Sequence, residues 1–366
     1  MNIIIAGGGT GGHLFPGIAV AKELVKRVSG LKVFFVGTAA GIESKIIPRE
    51  GFDIRFIRSE GLVGRGFYGA VKSALKIPAS LKDSRRILRE INPALVFGVG
   101  GYSSGPLVLC ASWMGVPTII HEQNTVPGLA NKILGKFVDT VAVTYHESME
   151  FFPPEKTHLT GNPVRVEILQ GNRERGYRTF SLNKELFTIF VFGGSGGAKK
   201  INHAVGEALT YLTDFKEKIQ FLHQTGENDL QFMKDFYLSQ GFKGTVLPFT
   251  HEMPDAYAVS DLIISRAGAT TLAELTACGK AAILVPYPFA AGHHQESNAK
   301  KLWDIGAAQV ILDKDLNGKT LSDLIKFLLN DPDAIGEMER TSKSLGSSDA
   351  LTKVVELIMT RIKKNI

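Results

Sequence analysis

The sequence has few cysteines and no long hydrophobic run. Cys110 and Cys278 are the two cysteines among 366 residues, too few for a disulfide framework or a cysteine-only zinc site. The longest apolar stretches, Leu107–Val116 and Ala281–Ala291, fall short of the ~18–20 residues that a membrane-spanning helix needs. The first residues show neither the basic region nor the cleavage site of a signal peptide. We therefore expect a cytoplasmic protein that can touch a membrane from that side.

Neither sign of charge dominates. The chain has 42 basic and 36 acidic residues, a formal net charge of +6, so charge predicts no nucleic-acid partner. An anionic substrate or membrane surface fits this balance better. The phosphate-binding motif G-x-x-x-x-G-K-(S/T) is absent, which disfavours a P-loop NTPase, and neither H-x-x-x-H nor H-E-x-x-H spacing occurs. At 44% hydrophobic and 21% charged residues, the composition is that of a globular protein.

Short β-branched runs alternate with amphipathic stretches along the whole chain. This alternation predicts an α/β protein with doubly wound parallel sheets, because strands buried on both faces read as continuous apolar runs. Helices are predicted at Ile18–Val28, Ala130–Leu134 and Thr271–Cys278. The predicted strands are Asn2–Ala6, Lys32–Val36, Asp53–Ile57, Leu95–Val99, Thr118–His121, Thr140–Val143, Thr188–Phe192, Gln220–His223, Thr245–Leu247, Leu262–Ser265, Ala282–Val285 and Ala308–Ile311.

An internal repeat divides the chain in two. A strand leads into Gly8-Gly9-Thr10-Gly11-Gly12, and 185 residues later a second strand leads into Gly193-Gly194-Ser195-Gly196-Gly197. The repeat predicts two Rossmann-like domains, residues 1–162 and 163–345, with a C-terminal helix at 346–366 that packs back on the first domain. Ligands of such folds bind at the carboxyl ends of the strands, so we expect a cleft between the two sheets to hold the substrate.

The two glycine loops admit other interpretations. The first matches the dinucleotide fingerprint G-x-G-x-x-G, but the second strand ends Gly37-Thr38 without the acidic residue that would hold a ribose. The second loop reads G-x-S-x-G, and Asp261 with His293 or His294 follows in the chain order of a serine hydrolase. A non-catalytic nucleotide-sugar binding protein is a further alternative.

Polar clusters follow several predicted strands. Arg266 to Glu274 joins a small-residue turn to a helix start, where backbone N–H groups can meet an anion and Glu274 can accept from ribose hydroxyls. Three more clusters, at 121–124, 161–165 and 292–298, are dense in amides, imidazoles and carboxylates, as a polyhydroxylated ligand requires. The D-x-D pairs at Asp313 and Asp331 are interpreted as helix caps.

Basic residues concentrate between Arg65 and Arg89 and are interleaved with apolar ones. This composition suits anionic lipid headgroups, and the alternative is a core helix with a solvated basic face. The residues that we expect to meet the membrane are Phe67, Tyr68, Lys72, Leu75 and Lys76.

Seven motifs, in order along the whole chain, together resemble the MurG family of bacterial transferases. They are Gly8 to His13 with Pro16, Gly100-Gly101-Tyr102, His121-Glu122-Gln123-Asn124, Gly161-Asn162-Pro163-Val164-Arg165, Gly193-Gly194-Ser195, Arg266 to Ala269 with Glu274, and Gln295 with Asn298. The resemblance implies a GT-B fold and transfer of N-acetylglucosamine from UDP-N-acetylglucosamine to a lipid-linked muramyl-pentapeptide. The sequence departs from the family at Gly196 and His294, where members often carry Gln.

The resemblance also implies a role for each site residue. Phe249 and Thr250 would flank the uracil, and Glu274 would hold the ribose. The diphosphate would meet Ser195, Arg165 and the amides near Gly268 and Ala269. The sugar would be surrounded by Thr10, Gly11, Gly12, Asn124 and Gln295. Further substrate-binding residues would be Tyr102, Arg266, Thr270 and Asn298.

The chemistry needs a general base for the acceptor hydroxyl. His13 is the first candidate, since an imidazole titrates near neutrality, and Glu122 is the alternative. Cations and helix starts can stabilise the departing diphosphate, so no cofactor is obligatory; whether a divalent cation stimulates the reaction stays open, as does the oligomeric state. The expected partners are UDP-N-acetylglucosamine, a polyprenyl-diphosphate-linked muramyl-pentapeptide and an anionic membrane surface at the cytoplasmic face, with no nucleic acid.

Overall fold

The computed structural model describes residues 1–59, 77–194, 196–347 and 349–363. Two units make up the chain. The N-terminal unit comprises Met1–Arg165 together with Ser347–Ile366, and the C-terminal unit comprises Val166–Gly346. Each unit is built around one parallel β-sheet with helices between successive strands.

The sheet of the N-terminal unit has seven strands in the order β3-β2-β1-β4-β5-β6-β7. Its central strands are continuous apolar runs, and Ile3, Ile4 and Ile5 of β1 are fully buried. This is the composition expected of parallel strands covered on both faces. The bounds are β1 Asn2–Gly7, β2 Lys32–Gly37, β3 Asp53–Phe56, β4 Leu95–Gly100, β5 Thr118–Glu122, β6 Thr140–Val143 and β7 Thr157–Leu159.

The sheet of the C-terminal unit repeats the pattern with six strands, in the order β10-β9-β8-β11-β12-β13. In both sheets the strand that precedes a glycine loop, β1 or β8, lies in the interior, and the chain order reverses beside it. Such a reversal leaves a crevice at the carboxyl ends of the strands, where ligands of this fold class bind. The bounds are β8 Phe187–Phe192, β9 Ile219–Gln224, β10 Gly244–Leu247, β11 Leu262–Ser265, β12 Ala282–Leu284 and β13 Gln309–Val310.

Helices cover both faces of each sheet. In the N-terminal unit they are α1 Gly11–Arg27, α2 Glu43–Arg49, α3 Ile77–Ile91, α4 Ser104–Trp113, α5 Leu129–Leu134 and α14 Ala350–Lys363. In the C-terminal unit they are α6 Arg173–Thr179, α7 Lys199–Tyr211, α8 Leu230–Gln240, α9 Met253–Val259, α10 Ala269–Cys278, α11 His294–Asp304, α12 Gly318–Asn330 and α13 Pro332–Leu345. Helix α14 belongs to the N-terminal core, because Val354, Ile358 and Ile362 pack with α1 and β1.

The twelve predicted strands are all present, with ends within about two residues of the predicted ones. Strand β7 was missed because it is a three-residue edge strand whose His158 and Leu159 are exposed, so no apolar run marks it. Helix α1 begins at Gly11, seven residues before the predicted start. Glycines and Pro16 disfavour a helix intrinsically, and here packing of Leu14 and Ile18 against the sheet overrides that preference.

The basic stretch predicted to meet a membrane is only partly described. Phe67, Tyr68, Lys72, Leu75 and Lys76 lie outside the described residues. The remainder forms α3, which buries Ile87, Leu88 and Ile91 and exposes cationic side chains, namely Lys82, Arg85, Arg86 and Arg89. Among the described ranges, none of the helices combines the length and the apolar composition that crossing a bilayer demands.

Candidate active site

The first glycine loop joins β1 to α1 at the carboxyl end of the N-terminal sheet. Thr10 at the helix N-cap has an extended backbone, and its side chain makes no capping hydrogen bond. Helix starts of this kind favour anions, because backbone N–H groups and the helix dipole point outward. Thr10, Gly11 and Gly12 therefore lie where the sequence predicts a ligand to bind.

A carboxylate that the sequence analysis did not single out holds this loop. Glu43 on α2 is 1% exposed; its Oε2 accepts from the Gly9 N–H at 2.8 Å, and its Oε1 accepts from Thr38 N–H at 2.8 Å and Thr38 Oγ1 at 2.9 Å. A Cβ at Gly8 or Gly37 would overlap the carboxylate, so these glycines provide the space that Glu43 fills. No local sequence pattern marks Glu43, because the loop that it holds lies 34 residues away in the chain.

His13 lies in the first turn of α1 and points back toward the sheet. Its Nδ1 is 3.2 Å from Oε1 of Gln123, a buried residue that follows β5. The Gln123 Nε2 in turn donates to the Val99 carbonyl at 2.8 Å. Gly100 is required beside the imidazole, because a Cβ there would lie 2.7 Å from Nδ1. Residues of β4, β5 and α1 thus fix the orientation of the imidazole.

Glu122 is 1% exposed and receives hydrogen bonds on both carboxylate oxygens. Oε1 accepts from the backbone and side-chain nitrogens of Asn124, each at 3.0 Å. Oε2 accepts from Gly128 N–H at 3.1 Å and from Asn131 Nδ2 at 2.8 Å. Four donors on one buried carboxylate are typical of a group that shapes the loop after β5.

His121 of the same strand is fully buried, and its Nε2 lies 2.9 Å from the Gly161 carbonyl oxygen. Burial lowers the pKa of this imidazole to about 4, because charging it would cost its hydration. His121 therefore stays neutral at physiological pH and connects β5 to the segment that leaves the N-terminal unit.

Tyr102 and Arg165, two more residues that the sequence predicts to bind substrate, also belong to the N-terminal unit. Tyr102 is 52% exposed, and its carbonyl accepts from Ser59 Oγ at 2.7 Å. The guanidinium of Arg165 lies 4.1 Å from the centroid of the Phe15 ring, a cation–π contact with α1.

The C-terminal unit contains a cavity of about 590 Å³ at the carboxyl ends of its strands. Its lining combines the second glycine loop, the start of α7 and residues that follow β11 and β12. The residues are Gly193, Gly197, Ala198, Lys199, Lys200, Arg266, Tyr287, Pro288, Phe289, Gln295 and Asp313. Cations, backbone amides and two aromatic rings around one space suit an anionic, partly planar ligand.

Asp313 is not a helix cap, and the prediction for it was wrong. Its carboxylate accepts from Arg266 Nη1 at 2.6 Å and lies 3.1 Å from Lys200 Nζ. Although burial acts to raise it, the hydrogen bonds from these two cations hold the pKa of the Asp313 carboxyl below its usual value. The three residues lie far apart in the chain, so no local sequence pattern predicts that they form one ion-pair cluster. Asp331, by contrast, caps α13 as predicted, through a 3.0 Å bond from Ala334 N–H.

Gln224 at the end of β9 connects two segments predicted to bind the donor. Its Nε2 donates to the Gly194 carbonyl at 3.0 Å, and its Oε1 accepts from Thr250 N–H at 2.9 Å. Gln224 is 2% exposed; its bond from Thr250 is buried, and its bond to Gly194 is partly buried. The adjacent Phe249 keeps 40% of its surface exposed, as a ring that stacks on a ligand would.

Glu274 lies on α10 and is 6% exposed, so it is not a solvated helix residue. The Tyr257 hydroxyl donates to its Oε2 at 2.9 Å.

Gly268 caps α10 in an extended conformation without a side-chain hydrogen bond, and Ala269 and Thr270 follow in the first turn. On α11, the Gln295 Oε1 accepts from Tyr287 N–H at 2.9 Å, and Asn298 is fully buried. Ser195 lies outside the described residues.

The serine-hydrolase alternative fails on geometry. Asp261 precedes β11, and its carboxylate accepts from Thr188 N–H at the start of β8 and from Arg173. The Gly193–Gly197 loop follows the opposite end of β8. A strand rises about 3.3 Å per residue, which separates Asp261 from this loop by roughly 15 Å. Asp261 therefore cannot orient a histidine at that loop.

Comparisons with known proteins agree with this architecture. The glycosyltransferase family 28 N-terminal domain matches residues 3–143, and the C-terminal domain of the same family matches residues 188–354. A relative from Thermodesulfovibrio yellowstonii, 49% identical over 100% of both chains, is named UDP-N-acetylglucosamine–N-acetylmuramyl-(pentapeptide) pyrophosphoryl-undecaprenol N-acetylglucosamine transferase. A relative from Citrifermentans bemidjiense with the same name is 46% identical over 99% of this chain and 100% of its own.

Among solved structures, the crystal structure of Acinetobacter baumannii MurG superposes with a TM-score of 0.77 at 30% identity, covering 98% of this chain and 99% of that one. Two parallel-sheet domains with a glycine loop in each, together with the family match, define a GT-B-fold glycosyltransferase. Within that class, the chain belongs to the MurG family.

Proposed function

We propose that this chain transfers N-acetylglucosamine from UDP-N-acetylglucosamine to the 4-hydroxyl of a polyprenyl-diphosphate-linked muramyl-pentapeptide, with inversion at the anomeric carbon, in peptidoglycan synthesis. The observation that carries the proposal is full-length similarity, at 49% identity, to a relative named for this transfer. This similarity spans both units of the chain.

The cavity of the C-terminal unit supports the donor half of the proposal. The diphosphate meets Arg266, the second glycine loop with Ser195, and the start of α10 at Gly268, Ala269 and Thr270. Glu274 accepts from the ribose hydroxyls, Phe249 and Thr250 flank the uracil, and Gln295 and Asn298 bind the sugar. The placement of Arg266 and Gln295 around one cavity supports this assignment.

His13 is the general base in this proposal. An imidazole partly exposed at the start of α1 can take a proton from an acceptor hydroxyl and release it to water. Glu122 is the weaker candidate, because four hydrogen bonds from the protein already occupy both oxygens of its carboxylate. Glu122 instead positions Asn124, which with Thr10, Gly11, Gly12 and Tyr102 surrounds the sugar and the acceptor.

Leaving-group stabilisation comes from cations and backbone amides. Arg165, Arg266 and two helix starts offset the negative charge that grows on the diphosphate as the glycosidic bond breaks. We propose that no cofactor is obligatory, and a stimulating divalent cation would act on the diphosphate. Among the described residues no group of three His, Cys, Asp or Glu side chains is arranged to hold a metal ion.

The acceptor's polyprenyl tail stays in the bilayer, so we propose that the enzyme works as a peripheral protein on the cytoplasmic face. The exposed cations of α3 support contact with an anionic leaflet. No nucleic-acid partner is part of the proposal.

The test is transfer of radiolabelled N-acetylglucosamine from UDP-N-acetylglucosamine to a lipid-linked muramyl-pentapeptide. Label in the lipid extract, released by a β-specific hexosaminidase, supports both the activity and the inversion. Absence of lipid-extractable label would overturn the proposal.

His13→Ala tests the base within the same assay. Loss of a general base lowers kcat by roughly 10²–10⁴-fold, with the donor KM largely kept. The matched control is His158→Ala, which removes an exposed histidine of the same unit and leaves kcat near wild type. Equal kcat in the two variants would assign the base elsewhere.

A further inference from the structure

A buried amide lies directly behind His13. Gln123 is 1% exposed, with its Oε1 3.2 Å from His13 Nδ1 and its Nε2 2.8 Å from the Val99 carbonyl oxygen. The proposed function gives this side chain no role in the reaction. Gln123 lies between the backbone of β4 and the His13 imidazole on α1. It can therefore control which ring nitrogen of His13 carries the proton.

The contact with Val99 settles which way the amide faces. A backbone carbonyl can only accept a hydrogen bond, so the NH₂ group of Gln123 must face Val99. The reversed amide would set two carbonyl oxygens 2.8 Å apart in a buried site, with no proton between them. Oε1 therefore faces His13, and an oxygen that can only accept requires a proton on Nδ1.

From this relation we infer that Gln123 is a positioning residue that holds neutral His13 as the Nδ1–H tautomer, with Nε2 as the basic nitrogen. The inference deepens the proposed function, since it rests on His13 as the base. A histidine has two neutral tautomers, and only the one with its lone pair toward the acceptor hydroxyl can act.

The proton transfer follows directly. The 4-hydroxyl oxygen forms a bond to the anomeric carbon while its proton passes to Nε2 of His13. The bond from the anomeric carbon to the diphosphate oxygen breaks, and UDP departs with the electron pair. The imidazolium now carries protons on both nitrogens, and its Nδ1–H bond to Gln123 is strengthened by the charge. His13 then releases the Nε2 proton to water.

Other groups near the His13 imidazole also act on it, and the effect of a change at Gln123 is measured in their presence. Gly100, the last residue of β4, presents uncharged backbone to Nδ1. Among the described residues of the N-terminal unit, His121 on β5 is a titratable group near His13; burial lowers the pKa of His121 to about 4, while the hydrogen bond to Gly161 acts to raise it and the charge of His13 to lower it. His121 therefore stays neutral at physiological pH. The carboxylate of Glu122, also on β5, is engaged by Asn124, Gly128 and Asn131.

The first experiment is the pH profile of kcat/KM for Gln123→Glu and Gln123→Leu in the intact enzyme. A carboxylate beside Nδ1–H stabilises the imidazolium, so Gln123→Glu shifts the acidic limb to higher pH by about 1–2 pH units. Gln123→Leu removes the acceptor, which lowers kcat roughly tenfold and does not shift the limb to higher pH. An acidic limb in Gln123→Glu that stays at the wild-type pH would overturn the inference.

Two controls separate positioning from general loss of structure. Thr118→Val removes a buried hydroxyl at the opposite end of β5, which bonds Asp139, and leaves the pH profile unchanged. In a His13→Ala background, Gln123→Leu causes no further loss of kcat, because the amide acts through the imidazole. A full tenfold further loss there would show that Gln123 acts on something other than His13.

The second experiment reads the tautomer without turnover. In the ¹⁵N-histidine-labelled full chain, the His13 ring resonances are assigned by their disappearance in His13→Ala. A protonated Nδ1 and an unprotonated Nε2 are expected above the His13 pKa, and Gln123→Leu abolishes this preference. If His13→Ala keeps wild-type kcat while this pattern is found, the proposed base fails and the Gln123 pairing stands. A protonated Nε2 in wild type overturns the pairing itself.

Discussion

Glu43 and Gly9 are joined by a 2.8 Å hydrogen bond from the Gly9 N–H to Oε2, although 34 residues separate them in the chain. The other carboxylate oxygen accepts two hydrogen bonds from Thr38, so one buried acid connects the ends of β1 and β2. In a dinucleotide-binding Rossmann domain the acid at this edge reaches a ribose. Here the Glu43 carboxylate accepts a hydrogen bond from the protein's own glycine loop, so the conformation of that loop is fixed before a ligand binds.

Glu43→Gln tests this arrangement. The amide retains the volume but offers one acceptor oxygen in place of two, so either Gly9 or Thr38 loses its partner. An unsatisfied buried donor costs about 1–3 kcal/mol, which should appear as a lower free energy of unfolding in urea. We also expect reduced kcat/KM, because Thr10 to Gly12 follow the released segment. Unchanged stability would show that Glu43 does not hold the loop.

Gln224→Leu should disconnect the second glycine loop from the segment that contains Thr250. Two hydrogen bonds are lost, one buried and one partly buried, each contributing about 1 kcal/mol, and we expect the donor KM to rise roughly tenfold with a smaller change in kcat. The measurement is initial rates over a range of UDP-N-acetylglucosamine concentrations.

Gln220→Leu is the matched control for this variant. Gln220 is a second buried glutamine of β9, bonded to Asn183 and Thr188 at the other end of the strand. Its loss should lower stability and leave the donor KM near wild type. If both variants raise the donor KM equally, the effect comes from the strand and not from the Gln224 bridge.

Glu274→Ala should raise the donor KM more than it lowers kcat, because a ribose contact exists in ground and transition states alike. A hydrogen bond to a charged group contributes about 1.5–3 kcal/mol. Tyr257→Phe, which removes the 2.9 Å bond to Oε2, should change the same constant in the same direction by less. A donor KM unchanged in Glu274→Ala would remove this residue from the donor site.

Stability should fall in mild acid because each unit buries a neutral histidine. Burial lowers the pKa of His121 to about 4 and that of His223 to about 3, below the ordinary value of about 6.5. From about pH 6.5 down to these values the unfolded chain binds protons that the folded chain excludes. The free energy of unfolding therefore decreases as pH falls through this window, by about 1.4 kcal/mol per pH unit for each histidine.

Urea denaturation between pH 7.5 and 4.5 measures this slope. His223→Gln retains hydrogen-bonding capacity toward Asn202 and Tyr237 without the titration, so its slope should be shallower. A slope identical to wild type would show that His223 is not among the groups that destabilise the fold in acid.

The sequence predicts the parts of this fold that depend on local pattern. Apolar runs such as Ile3-Ile4-Ile5 mark buried parallel strands regardless of the rest of the chain, and the repeated glycine loops mark two domains. Strand β7 is exposed and short, so its pairing with β6 is a tertiary effect that no local pattern reveals.

The sequence predicts the site residues that belong to a local motif. It does not predict the ones whose role depends on contact with residues far away in the chain. Arg266 and Gln295 were found because they lie in recognisable clusters. Their surroundings were not, since Asp313 meets Arg266 across 47 residues and Gln123 meets His13 across 110. A carboxylate or an amide in a polar stretch has many possible partners, and only the fold selects one.

Membrane binding should be stronger to anionic than to zwitterionic vesicles and partly released by salt. Each Lys or Arg near an anionic leaflet contributes about 1 kcal/mol, a term that salt screens, whereas insertion of Phe67, Tyr68 or Leu75 would resist salt. Reversal of charge at Lys72 and Lys76 should weaken co-sedimentation with anionic vesicles and spare turnover of a short-tailed soluble acceptor. Reversal at Lys216 and Lys234, two exposed lysines of the C-terminal unit, serves as the control and should leave co-sedimentation unchanged. If wild type and both variants pellet equally with both vesicle types, the basic stretch is not a membrane-binding surface.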